Sequence, residues 1–254
     1  MEKKSIQEYV FFGTAVRYLQ DASAGVSIWQ KGFILDNINS CLANLDSLGL
    51  TVTKIASYKL VAFRDELSAI KDKNAVLSSE QASKLGTICN ELRSTLEAEL
   101  ETHEAFIVTA KRFDTNKLIN DIGLLMSPNV FEFLPEITQY DMSEAGKCIA
   151  FERPTAAAFH LVRGTEAVLR TFYCSLIHSK RVTPLLWGNM TQDLRTRLKT
   201  KKYTTLYNNL DNIRHSYRNP TQHPDAIYDI HEVQDLLPLC FEVINRMIKL
   251  LSTP

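Results

Sequence analysis

Apolar residues recur every three or four positions almost throughout this chain of 254 residues, and that spacing constrains its fold more than any other feature. Between Ser78 and Arg112, Leu85, Ile88, Cys89, Leu92, Leu96, Leu100, His103, Ile107 and Ala110 keep the spacing, with charged residues between them. An α-helix collects such positions on one face. The spacing therefore predicts one long amphipathic helix, either the spine of an N-terminal bundle or a dimer-forming helix. Ser78 or Ser79 caps its start, with Gln81 or Ala82 three residues on, a partial capping box. Residues 10–29 and 32–50 read as further helices, with Gly32 and Gly49 near their breaks, and 52–67 as another. No alternating strands are expected, so the fold class is all-α.

Residues 124–146 hold Pro128 and Pro135 and read as a connector with a short helix. The division expected from this is a helical domain of unassigned role over 1–135 and a helical bundle over 136–254. Helices in the second are expected at 143–151, from Pro154 to 177, at 191–200, at 203–218 and at 229–251. Pro154 belongs in a first helical turn, where its missing N–H costs nothing. Pro238 is expected to kink the last helix.

A chain of this length can bury a sizeable core. No apolar run approaches the roughly 18 residues that span a bilayer. Glu8, Arg17, Gln20 and Asp21 interrupt what a signal peptide would need as its apolar stretch, so the protein is read as cytoplasmic, with no membrane partner. Cys41, Cys89, Cys148, Cys174 and Cys240 are scattered, with no CxxC pair. They read as five buried small hydrophobes in a reducing compartment. Formal net charge is zero, but residues 151–223 hold 12 basic and 4 acidic side chains. Such a segment either holds a polyanion locally or is a solvated helix face.

That basic segment ends in "HSYRNPTQHPD", residues 215–225. Helix punctuation accounts for much of it: Arg218 suits a last helical turn, Asn219 a termination, Pro220 cannot continue the ladder, and Asp229 caps the next helix. Chemistry offers a second reading. RNA is cleaved without metal when one group takes the 2′-hydroxyl proton, another protonates the leaving 5′ oxygen, and a cation meets the phosphate. Histidine serves as acid or base near neutrality, and the arginine fork matches phosphate oxygens. Arg218 and His223 on a short loop supply a charge clamp and one proton-transfer group, and a two-fold dimer would bring a second copy of each. His215, His223 and His231 are spaced by eight residues, which puts no pair on one helical turn. Neither metal nor other cofactor is expected.

Arg218-Asn219-Pro220-Thr221-Gln222-His223 resembles the R-x4-6-H motif of the HEPN superfamily, with a polar residue after the arginine. "AGKCIAFERPTAAAFHLVRGTEAVLRTFY" at 145–173 is similar to the preceding helices of a bacterial subgroup linked to toxin–antitoxin and antiphage defence. The resemblance covers about residues 140–252. It implies a four- or five-helix bundle, usually dimeric, and for many members a metal-independent endoribonuclease with an antitoxin or defence partner. Carried over, Arg218 binds the scissile phosphate, His223 is acid or base, and Asn219 orients phosphate or His223. Members modified by a partner nucleotidyltransferase often have tyrosine two residues after the histidine. Asp225 stands there, and the nearest following tyrosine is Tyr228, which argues against that control.

Arg163, Glu166 and Arg170 share a helix face opposite Leu161, Leu169, Phe172 and Leu176. They read as a surface salt-bridge ladder or as a support for catalytic arginines and the dimer. His160 and His215 read as packing or capping residues, and Tyr207 and Tyr217 as buried or base-stacking. The rival to a nuclease is a non-catalytic helical module that dimerises and binds RNA, nucleotide or protein. Pro220 and Pro224 would then hold the loop too rigid to close on substrate. The N-terminal region shows no nucleophile, metal or phosphate-loop pattern.

Overall fold

Local helical preference is met almost everywhere, and among the described residues no strand forms; Ser27 and Val76 make one isolated antiparallel bridge. The structure is a computed structural model describing residues 5–223 and 225–252. The chain forms two compact units, Met1–Phe106 and Ile107–Pro254. Among the described residues no helix is long and apolar enough to cross a membrane.

The first unit contains α1 (Ile6–Gln20), α2 (Ile34–Leu48), α3 (Thr51–Ala56), α4 (Tyr58–Ser68) and α5 (Ser79–Leu100). Gly49 ends α2 in the left-handed conformation at φ 71°, the geometry that glycine adopts without strain. The expected single helix over 52–67 is two. The Ser57 hydroxyl turns back to the Lys54 carbonyl at 2.7 Å, a local bond that competes with helix continuation. At α5 the capping box is complete: Ser78 Oγ accepts from the Gln81 N–H at 3.1 Å and Gln81 Oε1 from the Ser78 N–H at 2.9 Å. The same helix is shorter than its apolar spacing predicts. Thr102 Oγ1 and the His103 ring both meet the Glu99 carbonyl, at 2.7 and 2.9 Å, and so take the place of the next turn. Four acids, Glu97, Glu99, Glu101 and Glu104, also oppose the dipole at this end. Ile107 and Ala110 lie beyond the helix, and Ile107 is exposed.

The second unit contains α6 (Thr115–Asn120), α7 (Glu136–Ala150), α8 (Pro154–Leu176), α9 (Trp187–Arg197), α10 (Lys201–Ile213), α11 (Asn219–Thr221) and α12 (Ile230–Ser252). The division falls at 106/107 rather than at 135/136, because the segment between is tied to this unit. Leu118, Ile122, Met126, Val130 and Leu134 join its core, the Arg112 N–H donates to Gln234 Oε1 at 2.8 Å, and Arg112 pairs with Asp235. The expected 124–146 connector is partly helix, since α7 begins at Glu136. α8 lies between α7 and α12 and buries Ala157, Ala158, Leu161, Val168, Leu169 and Phe172. Gly164 lets α7 approach closely, for a Cβ there would stand 2.5 Å from Met142 Cε and 3.1 Å from Asp141 Cβ. Pro154 occupies the first turn of α8, and α12 continues on both sides of Pro238.

All five cysteines are free thiols, but only Cys41, Cys89 and Cys240 are buried; Cys148 and Cys174 are half-buried, against the expectation of five core residues. Burial pushes the Cys41, Cys89 and Cys240 thiols up to about 12, which keeps them inert at neutral pH.

Candidate functional site

The motif begins where α10 widens. Arg214–Arg218 is a π-helical turn, in which the Asn219 N–H reaches the Arg214 carbonyl five residues back. Pro220 supplies the reason, since it has no N–H and its ring conflicts with the carbonyl four residues earlier. π turns of this kind re-aim side chains and are frequent at functional sites. Helix then continues through Thr221, so Arg218 lies in its last turn but Asn219 sits within it rather than terminating it.

Arg218 is turned onto α8. Its Nε and Nη2 each lie 3.4 Å from Glu166 Oε2, and its side chain is 23% exposed. Glu166 Oε1 accepts from Arg170 Nη2 at 3.0 Å, so one largely buried carboxylate holds two arginines. The expected ladder of Arg163, Glu166 and Arg170 is therefore only half formed. Arg163 turns to α7 instead, with Nε 2.8 Å from Asp141 Oδ2 and Nη2 2.5 Å from Oδ1. The bond to that carboxylate also pushes the Arg163 pKa up.

The rest of the motif faces solvent. Asn219 and His223 are exposed, and neither side chain has a hydrogen-bond partner among the described residues. The His223 N–H donates to the Pro220 carbonyl at 2.8 Å, and its own carbonyl accepts from Ala226 at 3.3 Å. His215 is exposed on the π turn; its Nε2 lies 2.9 Å from Arg214 Nη2 and acts there as acceptor. Asp225 is exposed, and Asp229 caps α12 by accepting from the His231 and Glu232 N–H groups at 2.7 and 2.8 Å.

Tyr228 and Thr221, both buried, fasten the loop. Thr221 Oγ1 lies 2.7 Å and Tyr228 Oη 2.9 Å from the Tyr217 carbonyl, and the two hydroxyls are 2.8 Å apart. These three contacts share two hydroxyl protons, so one hydroxyl donates to the carbonyl and the other to its neighbour or to the same carbonyl. The Tyr217 and Tyr228 rings stack at 6.2 Å, and the Tyr228 N–H donates to Thr155 Oγ1 on α8 at 3.3 Å. Tyr217 is thus engaged in the loop rather than free for a base. Tyr207 is buried with its hydroxyl on the Leu194 carbonyl, and burial followed by the neighbouring Tyr203 pushes its pKa up to about 12.

No family model, curated protein or solved structure matches this chain. The residues therefore have to speak for themselves.

Sequence reasoning missed Asp141, Thr221 and Tyr228. Asp141 had one legible signal: an acid on the apolar face of α7 between Thr138, Met142 and Ala145, all buried. His160 is neither a cap nor simple packing; its Nδ1 lies 2.9 Å from Asp141 Oδ1 and its ring meets Tyr140 edge-on at 6.2 Å. Much of the local basic excess is held by the fold: Arg195 pairs with Asp211, Arg197 with Asp193, and Arg181 donates to the Ile177 and Cys174 carbonyls. At the motif stands a clamped arginine beside an amide and an imidazole without partners among the described residues, a set able to hold an oxyanion and move one proton beside it.

Proposed function

We propose that the second unit is a HEPN-like domain and that it cleaves RNA without a metal ion. One observation carries this reading. Glu166 pins Arg218 from a neighbouring helix, while Asn219 and His223 stand exposed on a loop fastened by Thr221 and Tyr228. A guanidinium gripped along its Nε–Nη2 edge keeps its other edge for a phosphate. In the reaction the 2′-oxygen attacks the adjacent phosphorus and loses its proton to a base. The bond from phosphorus to the 5′ oxygen breaks, an acid protonates the leaving oxygen, and a 2′,3′-cyclic phosphate remains. Arg218 holds the non-bridging oxygens, His223 performs one proton transfer and Asn219 orients the phosphate. A homodimer would supply the second histidine. An antitoxin or defence-system partner would restrain such an activity in the cytoplasm.

The test incubates the protein with mixed RNA in EDTA and maps the cut ends. Wild type should leave 2′,3′-cyclic phosphates, and Arg218→Ala or His223→Ala should slow cleavage about 10²–10⁴-fold. Undiminished cleavage by both variants rejects the proposal.

A second reading, a non-catalytic module that binds RNA, nucleotide or protein, is favoured by one feature. A general base is ordinarily oriented by a third group, and the His223 ring has none among the described residues. This version expects a folded protein with no cleavage in any variant.

A further inference from the structure

Asp141 is fully buried between α7 and α8, yet both its partners reach the surface. Removing a carboxylate from water is costly unless it is paired. Its neighbours Met142 and Ala145 on α7 are apolar and equally buried. What the carboxylate does is set the direction of two side chains.

Stereochemistry defines what those side chains still offer. A guanidinium has two forks, Nε–Nη2 and Nη1–Nη2. Asp141 occupies the first, which leaves the second for another oxyanion, and the Arg163 side chain is 57% exposed. His160 meets Asp141 through Nδ1, so Nε2 is its free nitrogen, on a side chain 23% exposed. Both groups are fixed before any ligand arrives, so little ordering cost attaches to binding.

Their position relative to the motif follows from the helix. At about 100° per residue, Thr155, Phe159 and Glu166 fall within about 40° of one another on α8. The motif segment is fastened at both ends of that row, Arg218 at Glu166 and the Tyr228 N–H at Thr155. It therefore runs along α8 with Arg163 in the next row, and His160 beyond it towards α7. Arg163 is only about 4.5 Å along the axis from Glu166. Exposed Phe159 and Tyr140 flank the pair with aromatic surface. Cations interleaved with exposed aromatics suit the phosphates and splayed bases of a single strand.

We propose that Arg163 and His160, oriented by Asp141, form a second phosphate subsite that binds a neighbouring phosphate of the same RNA strand whose scissile phosphate lies at Arg218. The subsite deepens the nuclease reading and rests on it for the place of the scissile phosphate.

The test measures binding of a 12-nucleotide single-stranded 2′-O-methyl RNA to the full chain by fluorescence anisotropy between 50 and 200 mM salt. The methyl group removes the attacking nucleophile, so binding is read whether or not the protein is a nuclease. Arg163→Gln should weaken binding about tenfold and lower the magnitude of the log–log salt slope by about 0.7, the share of one phosphate contact on a single strand. His160→Gln should weaken it about threefold, and Lys71→Gln, the same change of charge in the first unit, should do neither. Arg163→Lys keeps the charge and a bond to Asp141 but loses the fork; it should bind several-fold more weakly at an unchanged slope. That variant carries the test if Arg163→Gln does not fold. Arg163→Gln and Arg163→Lys both binding like wild type, or wild type not binding at all, overturns the subsite. Cleavage that depends on Arg218 and His223 alongside unaltered Arg163→Gln binding would reject the subsite alone. A lowered slope with no cleavage would reject the nuclease reading alone.

Discussion

Glu99 in the first unit and Asp141 in the second are both buried carboxylates, and they are satisfied by opposite kinds of donor. Glu99 Oε1 accepts from the Val52 N–H at 2.9 Å, and Oε2 from the Thr53 N–H and hydroxyl at 2.7 and 2.6 Å. It caps α3 from a distant helix, supplying the acceptor that Leu50, at the N-cap with an apolar side chain, cannot. Among the described residues Asp141 accepts only from charged or chargeable side chains that extend to the surface. One acid is spent on the backbone and stays within the fold, while the other organises a cationic surface beside the motif. A buried charge is thus informative about function when its partners are themselves exposed.

Four measurements break or sharpen that contrast. Trp29 and Trp187 are the two tryptophans, one in each unit, so Trp→Phe backgrounds let fluorescence follow each unit's unfolding separately. Asp141→Ala should destabilise the second unit by about 3 kcal/mol, through three lost hydrogen bonds to a charged, buried carboxylate. It should also weaken RNA binding by releasing Arg163 and His160. Glu99→Ala should cost the first unit about 2 kcal/mol through two lost N–H partners and a hydroxyl and leave RNA affinity untouched. If RNA affinity falls with Glu99→Ala as much as with Asp141→Ala, the contrast is wrong. Ser78→Ala, which removes a local cap rather than a long-range one, should cost about 1 kcal/mol, again in the first unit only.

The smallest effect is one of pH. Burial pushes the Glu99 carboxyl up, but the Thr53 and Val52 donors outweigh it and hold its pKa below the ordinary carboxylate value. A carboxyl lowered on folding stabilises fully above its unfolded pKa, near 4.3, and loses that contribution as pH falls through the folded value. The stability gap between wild type and Glu99→Gln should therefore be level from pH 7 to about 5 and narrow below about 4. A gap that widens on acidification contradicts this.

Particular elements show how far sequence reading reached. The all-α class, the α5 cap (offered at Ser78 or Ser79), the α8 start at Pro154 and the Asp229 cap were legible, because each depends on residues within four positions of one another. The α5 end was not. Its apolar spacing runs on to Ala110 and masks the local bonds of Thr102 and His103 to the Glu99 carbonyl, and the acids opposing the dipole, that stop the helix at Leu100. The unit boundary was misplaced as well. The connector was read at 124–146, and only the packing shows that apolar residues of 107–135 belong to the second core.

The motif residues Arg218, Asn219 and His223 were visible as a local cluster, since only five positions separate Arg218 from His223. Which acid meets which arginine was not. Arg163 stands three and Arg170 four residues from Glu166, and helical spacing offers both as partners; yet Arg218, fifty-two residues away, takes one place and Asp141 draws Arg163 to the other side. Sequence by itself determined the helical class, the caps at α5 and α12 and the composition of the loop, because those follow from backbone hydrogen bonding and apolar period at short range. The tertiary structure alone decided where the two units divide and how the buried acids pair, because each turns on groups that only the packing of distant helices brings together.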